Sequence, residues 1–178
     1  MIRIGTQLTF CSPLKILRRT VVELNGQNVV SRLFCLDDGN VEASNTLFFD
    51  GVLSSGVISL KQNMPVDDAS DLLMDYHYLD LSESFPSSEI VRTKKPLIID
   101  FGTNSPDKIN NLLARLVPVL SSFSVFEIIA ACTYYPALFL GWPAGLSEMN
   151  CSSLFLWENV DLVNKKLLAD ACVREIKE

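Results

Sequence analysis

The sequence predicts a mixed α+β fold in which both chain ends supply strands to one sheet system and the middle forms a separate α/β layer. Three observations lead there. The first third of the chain is dense in strand formers and turn signals. Residues 96–141 carry a buried-strand pattern followed by capped amphipathic helices, and residues 153–176 return to strand formers. A chain of 178 residues, 48% hydrophobic and 20% charged, has the apolar material for a real core and no compositional sign of disorder.

Taken in order, residues 2–11 alternate loosely and read as a strand. Residues 20–24 and 28–36 flank Asn25-Gly26, the signature of a hairpin closed by a tight two-residue turn with positive φ angles. Residues 37–40 form a polar turn, and 46–49 a short strand. Asp50-Gly51 turns the chain into 57–60, a run apolar enough to be a strand buried on both faces. Asp67 or Asp68 can cap a helix reaching Leu79, because Ala69, Leu72, Leu73, Tyr76 and Leu79 fall at helical spacing.

A polar loop, 82–95, follows and can hide a short strand at Ile90-Val91. Residues 96–102 run apolar into Gly102, the pattern of a buried parallel strand. Ser105-Pro106 starts a helix, a capping hydroxyl followed by proline at the first helical position, with Ile109, Leu112, Leu113 and Leu116 on one face. Ser124 and Glu127 form a capping box for a helix that buries Ile128, Ile129 and Cys132, and Pro136 to Gly141 make a further short helix. Residues 153–158 and 172–176 are strands, with 159–167 wrapping between them.

Composition excludes several functions. A net charge of −6 argues against nucleic acid, and the basic residues at 15–19 and at Lys94-Lys95 read as solvated loops or strand ends. No apolar stretch reaches the ~18 residues of a membrane span, and the start shows no signal-peptide core, so a cytoplasmic protein is expected. The cysteines, Cys11, Cys35, Cys132, Cys151 and Cys172, have no CxxC spacing and read as buried free thiols. One histidine, His77, cannot build a histidine-rich metal centre. Its acidic and tyrosine neighbours point in different directions on any regular element.

The segment order resembles the amidohydrolase superfamily, in particular the cytosine-deaminase and chlorohydrolase-like metal-dependent hydrolases. Residues 47–59 are similar to that family's approach to its first barrel strand. Leu97 to Phe101 with Gly102-Thr103-Asn104-Ser105 look like its last barrel strand, which ends in Gly-Thr-Asp-Ser. Residues 124–141 and the strands from 154 onward look like its closing helices and returning sandwich strands. The resemblance implies a composite β-sandwich from residues 1–56 and 147–178, and a reduced α/β segment, 57–146, left from a (β/α)8 barrel. It also implies two retained strands, 57–60 and 97–101, that must pair in some rebuilt way. A right-handed crossover through the 67–79 helix would put the second strand on the wrong side.

The departures decide the function that the resemblance implies. Where the family places a metal-binding His-x-His pair stand Lys61-Gln62-Asn63, and where it places its metal-binding, proton-shuttling aspartate stands Asn104. A lysine repels a cation and neutral amides are poor ligands for one. Lys61, Asn63, Gly102, Thr103, Asn104 and Ser105 are therefore candidate ligand-binding residues, with no catalytic residue, metal or cofactor expected. The expected function is a non-catalytic scaffold with a structural or protein-interaction role, possible as a homo-oligomer because a cut barrel exposes strand edges. Tyr134, Tyr135, Phe139, Trp142 and Trp157 are the large side chains available to cover them, with core packing as the default.

Two alternatives stand beside it. One is a small-molecule module holding an anionic metabolite on the 102–105 loop at a helix N-terminus. The other is a hydrolase of carbon–nitrogen bonds whose partner supplies metal ligands. Asp100, Lys61 and Cys132 are the residues available to a different chemistry, but their spacing makes no nucleophile–base pair.

Overall fold

The computed structural model describes residues 2–27, 29–38, 45–64, 74–148 and 153–176. Mixed α+β is the class it shows. Strands β1 (Ile2–Ser12), β2 (Lys15–Leu24), β3 (Val30–Cys35), β4 (Thr46–Ser55), β7 (Leu154–Asp161) and β8 (Lys166–Ile176) form one sheet, ordered β3-β2-β1-β4-β7-β8. Both chain ends thus meet in a single sheet, joined where β4 runs antiparallel to β7, with Val52 opposite Trp157. Among the described residues a second sheet holds β5 (His77–Asp80) and β6 (Leu97–Asp100), which are parallel. There is no barrel.

Helices cover the middle: α1 (Leu60–Asn63), α2 (Pro106–Val119), α3 (Val125–Ile129) and α4 (Tyr135–Phe139). A π-helical turn, Ala130–Tyr134, joins α3 to α4, so the two helices expected from the sequence run on as one rod with a widened turn. The capping box holds: Ser124 and Glu127 each bond the other's backbone N–H. Pro106 opens α2 as expected, but Ser105 makes no side-chain cap; its own N–H donates to Thr103 Oγ1 at 3.1 Å.

Several local expectations are corrected. Residues 57–60 are not a strand, because their backbone is used elsewhere: Ile58 N–H donates to the Cys132 carbonyl in the π turn and Ser59 N–H to Asn104. The helix expected to reach Leu79 ends before His77; pairing with β6 makes 77–80 a strand, so tertiary contact overrides periodicity. Its first part, 67–73, lies outside the described residues. Ile90-Val91 is loop, with Ile90 N–H on the Val119 carbonyl at the end of α2.

Asp50-Gly51 is not a turn but an irregularity within β4. The register with β1 slips there, Gly51 takes φ +130°, and a Cβ on it would come within 2.2 Å of the Trp157 carbonyl oxygen. The Asn25-Gly26 hairpin closes through a wider loop, in which Asn25 Oδ1 accepts the N–H groups of Gln27 and Val29. Residues 159–167 do not wrap around: β7 and β8 extend into them as a hairpin, with Val160 opposite Leu167. Of the cysteines, Cys11 and Cys132 are buried free thiols, whereas Cys35 and Cys172 are only half-buried. Cys151 lies outside the described residues.

The main core is continuous across sheet and helices. It packs Phe10, Val52, Trp157 and Val173 against Ile99, Ile109, Leu113 and Ile129. Trp157 is fully buried and donates its indole N–H to Ser54 Oγ at 2.9 Å, so its role is core. Tyr134, Tyr135 and Phe139 join Tyr76 in a chain of tilted and edge-on ring contacts, while Trp142 stays 45% exposed.

Both outer strands are met by side chains. On β8, Val173 N–H donates to Asn110 Oδ1 (2.7 Å) and its carbonyl accepts from Asn110 Nδ2 (3.0 Å), so one amide of α2 imitates a neighbouring strand. On β3, Leu33 N–H donates to Glu148. Such contacts blunt edges that would otherwise template pairing. Asn110→Leu is expected to cost about 1–3 kcal/mol in urea unfolding, since both β8 groups lose their partner. A loss below a few tenths of that would show the contact to be idle.

Candidate functional site

The residues singled out from the sequence gather at the C-terminal ends of β5 and β6, around one carboxylate. Asp100 closes β6 and is fully buried. Its Oδ1 accepts Gly102 N–H at 2.8 Å; its Oδ2 accepts Lys61 N–H at 2.9 Å and the Tyr78 hydroxyl at 3.0 Å. Three donors on one carboxylate compensate the cost of burying it. Tyr78 is held well above the usual phenol range, by burial first and then by the charge of Asp100. It therefore stays a neutral donor.

Gly102 is needed where it stands. It adopts φ +66°, and a Cβ there would sit 2.5 Å from the Ser82 Cβ. Thr103 and Ser105 make the next turn into α2, and Gln62 Nε2 reaches the Gly102 carbonyl at 3.3 Å.

Lys61 turns its ammonium to Asp80 at 2.8 Å and to Glu83 at 2.6 Å. Those hydrogen bonds raise its pKa, the Asp80 bond most. For Asp80 burial pushes the carboxyl up, but the bonds from Lys61 and Ser82 outweigh it and the net shift is downward. Ser82 contributes both its N–H (2.9 Å) and its hydroxyl (2.7 Å).

Asn63 and Asn104 meet at a single residue. Ser59 N–H donates to Asn104 Oδ1 at 3.0 Å, and the Ser59 carbonyl accepts from Asn63 Nδ2 at 2.7 Å. Both backbone groups of a fully buried residue are thus served by side-chain amides. The structure therefore brings Lys61, Asn63, Gly102, Asn104 and Ser105 into one neighbourhood, with Thr103 as a turn residue beside them. His77 is elsewhere, exposed at the opposite end of β5.

Tyr78, Asp80 and Glu83 belong to this network and sequence reasoning missed them. The helical spacing of Tyr76 and Leu79 concealed the signal, which was that Leu79-Asp80 repeats the ending of Ile99-Asp100. Register confirms the parallel, since Asp80 pairs with Asp100. Cys132 is fully buried, and burial, then the nearby Asp100 charge, pushes its thiol far up, so it is no nucleophile. Among the described residues no three His, Cys, Asp or Glu side chains converge as a metal site.

A pH experiment reads the Lys61–Asp80 contact. Asp80 has a lowered pKa when folded, so its contribution is present above the unfolded carboxyl value and lost as pH falls through the folded one. Asp80→Asn is expected to lower stability by about 1 kcal/mol at neutral pH. The gap to the parent should close in strong acid; a gap constant with pH would contradict the pairing.

In comparison with known proteins, no family model, no curated protein and no solved structure matches the chain.

Proposed function

We propose that the protein is a non-catalytic scaffold with a structural or protein-interaction role, derived by trimming an amidohydrolase-like ancestor. In this reading the six-stranded sheet is what the composite sandwich of residues 1–56 and 147–178 became, and β5 and β6 with their helices are the reduced barrel segment. The observation that carries it is the use of Ser59. Asn63 and Asn104, at positions where the resemblance puts metal ligands, hold the two backbone groups of one buried residue. Lys61, the third such position, is tied to Asp80 and Glu83. Groups engaged as internal struts are not poised to bind and turn over a substrate.

An interaction role has surface to use. Leu47 and Phe48 are 58% and 57% exposed on β4, and that half of β4 pairs only with β1 among the described strands. No helix among the described residues is long and apolar enough to cross a membrane.

One observation favours the second reading, a small-molecule module. A groove of about 590 Å³ is lined by Asn63, Asn104, Ser55, Trp142 and Phe155. Because Ser59 uses Asn104 Oδ1 and Asn63 Nδ2, the other halves, a donor and an acceptor, have no partner among the described residues. The buried Ser55 hydroxyl also has none. A neutral polar molecule suits this lining better than the anion first considered for the 102–105 loop. Two N–H groups of that loop, on Gly102 and Ser105, already serve Asp100 and Thr103.

The test of the main reading is an assay of purified protein with zinc, manganese or iron and a panel of amides, cyclic amides and amidines. No turnover is expected, and light scattering is expected to give a dimer at micromolar concentration. Turnover that co-elutes with the protein would refute the non-catalytic reading, and a clean monomer would refute self-association. For the groove, small neutral amides are expected to raise Tm more than organic anions, with the difference abolished in Trp142→Ala. Equal or absent shifts would dismiss it.

A further inference from the structure

At the opposite end of the β5–β6 pair from the Asp100 network lies a separate cavity of about 430 Å³. Its size is within the range of pockets that hold metabolite-sized ligands. Its floor is apolar, with Leu97 and Phe123 buried and the Tyr135 ring half-buried beside them. Its mouth is the segment leading into β6, which carries Arg92, Lys94 and Lys95, and His77 faces the same space from the start of β5.

The segment is anchored rather than loose. Thr93 Oγ1 donates to the Lys95 carbonyl, His77 N–H to the Pro96 carbonyl, and Ile90 N–H to the Val119 carbonyl. The lining carries three basic side chains, Arg92, Lys94 and Lys95, in a chain whose net charge is −6. Glu127 is the one carboxylate among the lining residues, and it is engaged by the Arg92 guanidinium and by Ser124 N–H and Oγ–H. The Arg92 guanidinium also lies 5.5 Å from the centre of the Phe123 ring. Lys94 has no partner among the described residues.

We propose that this cavity binds a small organic anion with a flat apolar body, of the class of an aryl phosphate monoester. The ring would lie against Phe123 and Tyr135 and the anionic group at the mouth beside Lys94 and His77. Concave walls of low dielectric around like charges focus the potential, so an anion is drawn here despite the acidic chain. This site goes beyond the non-catalytic reading and shares no lining residue with the groove at Asn63 and Asn104.

Isothermal titration of the full chain with phenyl phosphate, inorganic phosphate and phenol tests it. Saturable one-site binding of phenyl phosphate is expected, at least about tenfold tighter than either fragment and weakened by added salt. Lys94→Glu and, independently, Val91→Glu are expected to raise its Kd by about tenfold or more, since each sets a carboxylate at the mouth. Val91 is 75% exposed and Lys94 is exposed, so both variants should keep the parent Tm. Absence of saturation, equal binding of inorganic phosphate, or an unchanged Kd in both variants would overturn the proposal.

Discussion

The Asp100 carboxylate is the constraint on which the middle of the molecule depends. It is fully buried, yet it receives the Tyr78 hydroxyl from β5, the Lys61 N–H from α1 and the Gly102 N–H from the turn after β6. Those donors come from three segments far apart in sequence, so one charged group sets their mutual placement. Removing a donor leaves part of a buried charge unpaired, which costs far more than an ordinary surface contact. Burial, reinforced by the charge of that carboxylate, keeps Tyr78 protonated and the nearby Cys132 thiol inert.

Around that hub, side-chain amides repeatedly take the place of missing strands. Asn63 and Asn104 serve Ser59, where a strand ladder was expected, and Asn110 serves Val173 at the edge of β8. A carboxamide carries both a donor and an acceptor, so it can satisfy an outward N–H and C=O pair as a neighbouring peptide would. Such substitutes stand where a strand neighbour is lacking, along residues 57–60 and at the outer edge of the six-stranded sheet. The two sheets then share one core, with Trp157 and Ile99 in the same packed cluster.

Local chemistry was readable in the sequence and distant pairing was not. The Ser124–Glu127 capping box and the Pro106 helix start depend on residues a few positions apart, and both appear. β5 escaped notice because its identity as a strand comes from β6, twenty residues on, while its own side chains fit helical spacing. Residues 57–60 look like a strand by composition, but their hydrogen bonds go to a π turn and to two asparagines. Resemblance drew attention to Lys61, Asn63 and Asn104, and the structure gathers them. Tyr78 and Asp80, which complete the network, were announced only by the likeness of Leu79-Asp80 to Ile99-Asp100, which helical spacing concealed. The basic mouth at Lys94-Lys95 read as an exposed loop, which it is; the cavity beneath it depends on α3 and on the start of β5.

If Asp100 and its donors are an architectural hub, the Lys61 and Gly102 amides should be among the slowest to exchange with solvent. Native-state hydrogen exchange measures this directly. The account requires that both exchange only through global unfolding, with opening free energies equal to the stability from urea denaturation. Exchange of either amide through a local opening well below that value, with the rest of β6 still protected, would contradict it.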